Sequence, residues 1–556
     1  MVHPRLPRLA TRLLCYSWVV LLAFSFYFTL RYSRHEALRT EEYAYGCDSF
    51  GYLRSAKQIR SGFSYGERPQ FKLESPQTRA LIDFMKEKKV PLSAWEEVVA
   101  PHAHHFFPRS DFVGVQYPPG TGLVLAMFPQ GEAVYGLNRV VVFVFGLLGA
   151  IALLIAIWRR TWASIALLMF AFGLGLFVLA RIGGASFSIN ASLVPVLLTC
   201  FLSLLALWLD NSRRQYAALL CAFVAGLSLG FATLVRLPTF LLLPGFVILL
   251  WPGLRNLFRL TSLPLALVLG TAIAGVIPVL INQNDVAGAW YLSTYASVDA
   301  AAPTIERLRN NFPFYLGSGP AAVDNRALLY AILGFAGFLI LYVTSGNSTS
   351  SRLGLSWKRL TVAVAVLWVL PLVYFITHWV TAPHYMIPSV VATVTLMGAG
   401  AFSFELGNEI RFDRRRVVSW IALVLVLAPG LVMLKRSWRV HPELPDPVIA
   451  RTHSPIVLPS ELVDDKAWIW ADLLTGSLWY YANKPAFKIQ FTDEQTRAMI
   501  FRFVHERADR QYLLQDSEQM KKYMQEITNL GGRLEPRGKV DGQPYYLVVW
   551  PNGEPR

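Results

Sequence analysis

The sequence predicts an all-α polytopic membrane domain of about eleven transmembrane helices, followed by a small α/β domain at the C-terminal end. Three observations predict it. The 556 residues are 54% hydrophobic and only 16% charged, with a mean hydropathy of +0.40, which is too apolar for a soluble chain and too long for one core. Apolar runs of about 17 to 25 residues, enough to cross the hydrocarbon as helix, begin near Leu13, Val134, Thr161, Ala191, Tyr216, Thr239, Leu260, Ala327, Leu360, Tyr385 and Val417. From about Val440 the hydropathy falls and short strand-like and helix-like pieces alternate. The division expected is a transmembrane domain over 1–435, with a first outer loop at 32–133, and a separate domain over 436–556.

The first run follows Arg5, Arg8 and Arg12, and Tyr32-Ser33-Arg34 offers no small-x-small cleavage site, so it reads as a retained signal anchor. Between Tyr216 and Pro252 one long apolar stretch must be cut in two near Arg236 and Pro238. With the N-terminus cytoplasmic, alternation puts Arg159/Arg160, Arg213/Arg214, Arg255/Arg259, Lys358/Arg359 and Arg414/Arg415/Arg416 on the same side, as positive charge in short loops requires. The sequon at Asn347 then faces the cytoplasm. The first loop, a loop from about Asn282 to Arg326, the Thr377–Pro383 turn and the tail after Lys435 face outward. The net charge of +16 is accounted for by these anchors and anionic headgroups, so nucleic acid is not an expected partner and membrane lipid is. Of the four cysteines only Cys47 faces outward, which leaves no outer disulfide. No P-loop, CxxC or GxGxxG occurs, which argues against a nucleotide-driven pump.

In the tail, Ala467–Ala471, Phe487–Phe491, Tyr512–Leu514 and Tyr545–Trp550 read as strands. Thr492-Asp-Glu-Gln495 starts a helix that runs to about Ala508, and Ser517–Leu530 reads as another, stopped by Gly531-Gly532. Trp468, Trp470, Trp479, Tyr480 and Tyr481 read as core, with stacking on sugar rings as the competing role.

The first outer loop carries the strongest signal. It opens with Asp48-Ser-Phe-Gly-Tyr52-Leu-Arg-Ser-Ala56-Lys-Gln-Ile-Arg-Ser-Gly62 and closes with Tyr117-Pro118-Pro119-Gly120. A chain that only spans the bilayer has no need of so long and polar an insert. Asp48 followed by Phe50, Leu53 and Ile59 is what the start of an interfacial helix looks like, and a cap and a catalytic carboxylate are compatible roles. Pro118-Pro119 excludes regular helix and leads into the short apolar piece Leu123–Phe128. Arg181 and Arg236 fall at outer ends of spans, where an arginine either pairs with an anionic ligand or snorkels to headgroups. His102, His104 and His105 are a candidate divalent-metal cluster against surface histidines, and Asp111 and Glu67 are alternative loop carboxylates.

Asp48, Tyr52, Ala56, Gly62 and the Tyr117–Gly120 turn resemble the first-loop motifs of the GT-C glycosyltransferases, specifically the bacterial protein O-mannosyltransferase-like branch. Cys47 stands where that family has a second acidic residue. Gly226–Pro238 resembles its Gly-rich helix ending in an arginine, His384-Tyr385-Met-Ile-Pro388 its R-Y-x-x-P element with His for Arg, and Thr475–Tyr481 the start of its outer domain. The resemblance implies a GT-C membrane fold and an inverting transfer of sugar from a polyprenyl-phosphate-linked donor to a glycan, lipid or protein acceptor of the cell envelope. It further implies Asp48 as catalytic base, Tyr52, Tyr117, Arg181, Arg236, His384 and Tyr385 at the substrates, and a divalent metal as an optional cofactor. In a bacterium the location is the inner membrane, multi-pass, with active site and C-terminal domain outside the cytoplasm. The rival readings are a transporter or flippase of a lipid-linked or anionic substrate, which internal repeats would mark and none is apparent, and a non-catalytic scaffold of an assembly complex.

Overall fold

The structure is a computed structural model that describes residues 49–62, 75–130, 187–251, 262–294, 305–315, 355–377, 383–404, 456–490 and 492–550, with scattered positions between 133 and 148 and at 336. Two compact units divide the chain: one holds Met1–Arg39, Tyr135–Pro278 and Ala301–Glu443, the other Thr40–Val134, Val279–Ala300 and Leu444–Arg556. Residues 40–133 of the first outer loop therefore share a unit with the tail from Leu444 on.

The first unit is helical. Among the described residues four helices are long and apolar enough to cross a membrane, Phe187–Asn211, Gln215–Val235, Leu263–Ala287 and Lys358–Thr377. They match the runs expected near Ala191, Tyr216, Leu260 and Leu360. The runs near Thr239 and Tyr385 are the shorter helices Leu237–Leu250 and Ile387–Gly400. The first is short because Pro238 and Pro244 keep its opening Leu237–Leu242 turns in a 3₁₀ form. Part of the run near Val134 is helical at Gly136–Phe145, and those near Leu13, Thr161, Ala327 and Val417 lie outside the described residues.

Small residues set the packing here. A β-carbon on Gly226 would stand 2.1 Å from the Leu267 carbonyl oxygen, one on Gly230 2.7 Å from that of Thr271, and one on Gly270 2.3 Å from that of Phe223. The backbones of Gln215–Val235 and Leu263–Val276 thus touch directly, as helices do where lipid supplies no hydrophobic drive and dispersion contacts must. Ser228 donates to the Pro195 carbonyl at 2.8 Å across the next helix pair, an oxygen that also accepts from Thr199 at 2.9 Å.

The second unit is built on a five-stranded sheet. In chain order its strands are β3 Ala467–Trp470, β4 Ala486–Phe487, β5 Arg510–Leu514, β6 Arg533–Val540 and β7 Gln543–Val549, after a loop hairpin of β1 His104–Phe107 and β2 Phe112–Val115. The sheet order is β4-β3-β5-β7-β6, with β3 parallel to β4 and β5, and β7 antiparallel to β5 and β6. Helices Thr475–Ala482, Glu494–Glu506 and Glu518–Asn529 connect the strands. Asp493, not Thr492, caps the second of these, accepting from the Thr496 amide at 2.8 Å.

Strand β3 alternates with period two: Trp468 and Trp470 enter one core, Ala467 and Ile469 the other. The tryptophan side is a shared core. Ile500, Phe501, Val504 and Ile527 of the tail meet Leu81, Met85, Trp95, Val98 and Phe106 of the first loop. Trp468 and Trp470 are fully buried, so they are core and not a sugar platform. Gln77 from the loop helix Pro76–Glu87 donates to the Asp465 and Ala467 carbonyls at 2.5 and 3.1 Å. The sheet has a complete second layer only because the loop supplies part of it.

Candidate functional site

The residues after Asp48 in the D-x-x-x-Y motif lie on helix Ser49–Arg60, with Phe50, Tyr52, Leu53 and Ala56 buried. Three close approaches hold this helix. A β-carbon on Gly51 would stand 2.7 Å from the Ala103 β-carbon, one on Gly122 2.6 Å from that of Ser55, and one on Gly476 2.7 Å from the Phe50 ring. The turn Tyr117–Gly120 opens helix Gly120–Ala126, and Arg60 donates to the Leu125 and Phe128 carbonyls at 2.7 and 3.1 Å. The short apolar piece after the prolines is thus a bracket on the motif helix. As a result the Tyr52 and Tyr117 rings pack with centroids 4.5 Å apart, tilted by 31°, and the Gln116 side chain donates to the Tyr117 hydroxyl.

In the helical unit, Arg236 ends the Gly-rich helix in an extended conformation that turns its side chain off the axis. It donates to the Ser188 hydroxyl at 3.1 Å and lies over the Tyr385 ring at 4.8 Å. Tyr385 also packs on Phe375 at 5.3 Å, and beside Ser188 the Asn190 amide donates to Asn138 at 3.1 Å. Among the described residues no carboxylate forms an ion pair with Arg236. An arginine held by a hydroxyl and an aromatic face keeps its charge available for an anion. His384 falls in the 3₁₀ turn Pro383–Met386. Asp48, Arg181 and Glu67 lie outside the described residues.

The three loop histidines do not converge. His102 faces Asp472 with 3.7 Å between Nε2 and Oδ1. His105 faces Glu97 at 3.4 Å. His104 bonds through Nδ1 to the His102 carbonyl at 3.0 Å, and burial, then the nearby Arg54 charge, pushes it down to about 3, so it is neutral. Among the described residues no group of three or more His, Cys, Asp or Glu stands where it could hold a metal ion. Asp111 is engaged by Arg79 at 2.8 Å and by Lys86. Burial pushes its carboxyl up, but those two bonds and charges hold it below the usual range, as suits a structural ion pair.

Glu97, Lys488, Asp472 and Arg54 carry the electrostatics of this unit, and none was singled out from sequence. Lys488, with 4% of its side chain exposed, donates to Glu97 at 2.9 Å. Burial pushes the Glu97 carboxyl up, but the His105 bond and the Lys488 charge outweigh it and hold it well below the usual carboxylate range. Asp472 follows β3, the one legible signal: a polar residue closing an apolar strand. Burial raises its pKa, whereas bonds from His102 and Ser517 and the charges of His102 and Lys488 bring it below the ordinary value. Asp516, which follows β5, is pushed up to about 6 by burial while accepting the Asp472 and Leu474 amides at 3.0 and 2.7 Å. Arg54 is lowered to about 10 by burial and sits 6.0 Å above the Trp479 ring.

No family model matches this chain, and no curated protein matches it. Among solved structures it superposes on the archaeal oligosaccharyltransferase AglB from Archaeoglobus fulgidus, in complex with an inhibitory peptide and a dolichol-phosphate, with a TM-score of 0.40 and 12% identity over 94% of this chain and 74% of that one.

Proposed function

We propose that the chain is an integral membrane glycosyltransferase of GT-C type that moves a sugar from a polyprenyl-phosphate-linked donor to a cell-envelope acceptor. The observation that carries this reading is the tilted ring contact of Tyr52 with Tyr117, which joins the two first-loop motifs although 64 residues of chain lie between them. Motif residues that were unrelated parts of a spacer would have no reason to be braced together by three glycine-sized contacts.

In this mechanism the Asp48 carboxylate takes the proton of the acceptor hydroxyl as its oxygen attacks the anomeric carbon. The bond from that carbon to the phosphate oxygen breaks, and configuration inverts. Polyprenyl phosphate departs with the electron pair, and Arg236, with Arg181, neutralises its charge. A metal is not required by any of these steps. The test is mass spectrometry of lipid copurifying with the full-length protein: a polyprenyl phosphate or phosphosugar supports the transferase, and its consistent absence, with no transfer from added donor, removes the reading.

Two further results are expected. Arg236→Ala should weaken binding of polyprenyl phosphate by about 1 to 3 kcal/mol, the worth of a charge-assisted hydrogen bond, measured by titration in nanodiscs. Arg236→Lys should recover part of it, since the charge returns without the planar fork. Unchanged affinity in both would leave Arg236 as a structural partner of Tyr385 and Ser188.

In this reading the active site, the tail and the first loop lie outside the cytoplasm, which the arginines of the short loops on the other side support. In a Cys47→Ser background, Gly553→Cys should react with an impermeant maleimide in intact spheroplasts and Ser350→Cys should not. The reverse pattern overturns the orientation.

A further inference from the structure

Strands β3, β4 and β5 are parallel, and the chain leaves β3 to one side to form β4, then crosses to the other side to form β5. That reversal makes a topological switch point, and in open α/β sheets the crevice beyond the carboxyl ends of the strands at such a point is where ligands bind. Here the crevice exists. It is an open cleft of about 570 Å³, within the range of about 300–1,000 Å³ typical of small-molecule sites. Its walls come from the residues that follow the strands: Asp472 after β3 and Gln490 after β4, with His102 of the first loop and Gln519, Lys522 and Tyr523 of the helix after β5.

The lining decides the ligand. Phosphate is excluded, because the ionised Asp472 carboxylate faces the cleft with Asp516 behind it, and no glycine-rich loop offers amides in their place. What remains is a carboxylate, two carboxamides, an imidazole, an ammonium and a phenol, a set of mixed donors and acceptors suited to hydroxyl groups, beside the apolar side chain of Leu473. Gln490 donates its amide hydrogen to Asp472, and its buried Oε1 has no hydrogen-bond donor among the described residues, an acceptor left over in the wall. Tyr523 is 6% exposed, with Arg497 4.9 Å over its ring and its hydroxyl on the Gln490 carbonyl at 3.3 Å. It belongs to the core behind the wall, and the apolar surface presented to the cleft is Leu473, 48% exposed.

We propose that the crevice at the carboxyl ends of β3, β4 and β5 binds a neutral sugar ring, with the Asp472 carboxylate and the Gln490 amide as partners of its hydroxyls and Leu473 as its apolar contact. The site lies within the α/β unit and does not depend on the transferase mechanism, so its test needs no turnover.

The test is saturation-transfer NMR on the full-length protein in nanodiscs, with the methyl glycosides of glucose, mannose, galactose and N-acetylglucosamine as probes and empty nanodiscs as control. Transfer to the ring protons of at least one glycoside is expected. Its dissociation constant should rise about tenfold or more in Asp472→Asn, which keeps the volume and removes the charge-assisted bond. Gln519 is exposed, so Gln519→Trp should leave the melting temperature unchanged while obstructing the mouth, and should weaken binding as much. No transfer to any of the four glycosides overturns the proposal. So does binding that survives Gln519→Trp, whatever Asp472→Asn does, because the sugar would then sit elsewhere.

Discussion

Replacing Asp48 by Asn is expected to reduce sugar transfer by about 10² to 10⁴ while the protein inserts, folds and binds donor normally. Asn keeps the volume of Asp and most of its capping ability, so the Ser49–Arg60 helix should persist. What is lost is a carboxylate able to take a proton from an acceptor hydroxyl. The measurement is transfer of radiolabelled sugar in nanodiscs, beside donor titration on the same preparation. A transporter has no need of a base at this position. Near-normal transfer by a correctly inserted variant would take Asp48 out of the mechanism and leave Glu67 as the first-loop alternative, since Asp111 is held in its pairs with Arg79 and Lys86.

Glu97→Ala should destabilise the loop and tail together by about 3 to 5 kcal/mol, because it leaves the buried Lys488 ammonium without the carboxylate it donates to. Hydrogen exchange in the intact protein is the readout: amides of Pro76–Glu87 and of β3 should lose protection in parallel, as they share one core. Glu97→Ala with Lys488→Met should recover most of the loss, since the pair is costly to break and cheap to replace whole. Destabilisation confined to the loop would show that the two segments do not fold as one unit. The contact also has a pH signature. Folding holds the Glu97 carboxyl below its ordinary value of 4.5, so its contribution is complete above that pH and declines as the pH falls below it. Asp516 acts in the opposite sense. Its folded value, about 6 against an ordinary 3.8, means that the fold binds the extra proton, and stability falls as the pH rises between those values.

The amino-acid sequence by itself determined the four long apolar helices among the described residues and most of the tail, because both depend on local periodicity. Phe187–Asn211 and Gln215–Val235 are legible as unbroken apolar runs, and β3 and β5 as short apolar stretches between turn signals. Strand β6 escaped because it pairs only with β7 at the sheet edge and is mostly solvent-exposed, so no apolar pattern marks it. The motif residues Asp48, Tyr52 and Tyr117 could be singled out from the sequence as candidates. Their arrangement could not be. Only the tertiary structure decided that Tyr52 meets Tyr117, that His102, His104 and His105 part to three different environments, and that Lys488 finds Glu97 across 391 residues. The physical reason is one of range. A helix or strand is set by neighbours a few residues away, whereas a buried charge pair or a shared core depends on which distant surface is left uncovered, and the tail sheet exposes a tryptophan face that the first loop covers.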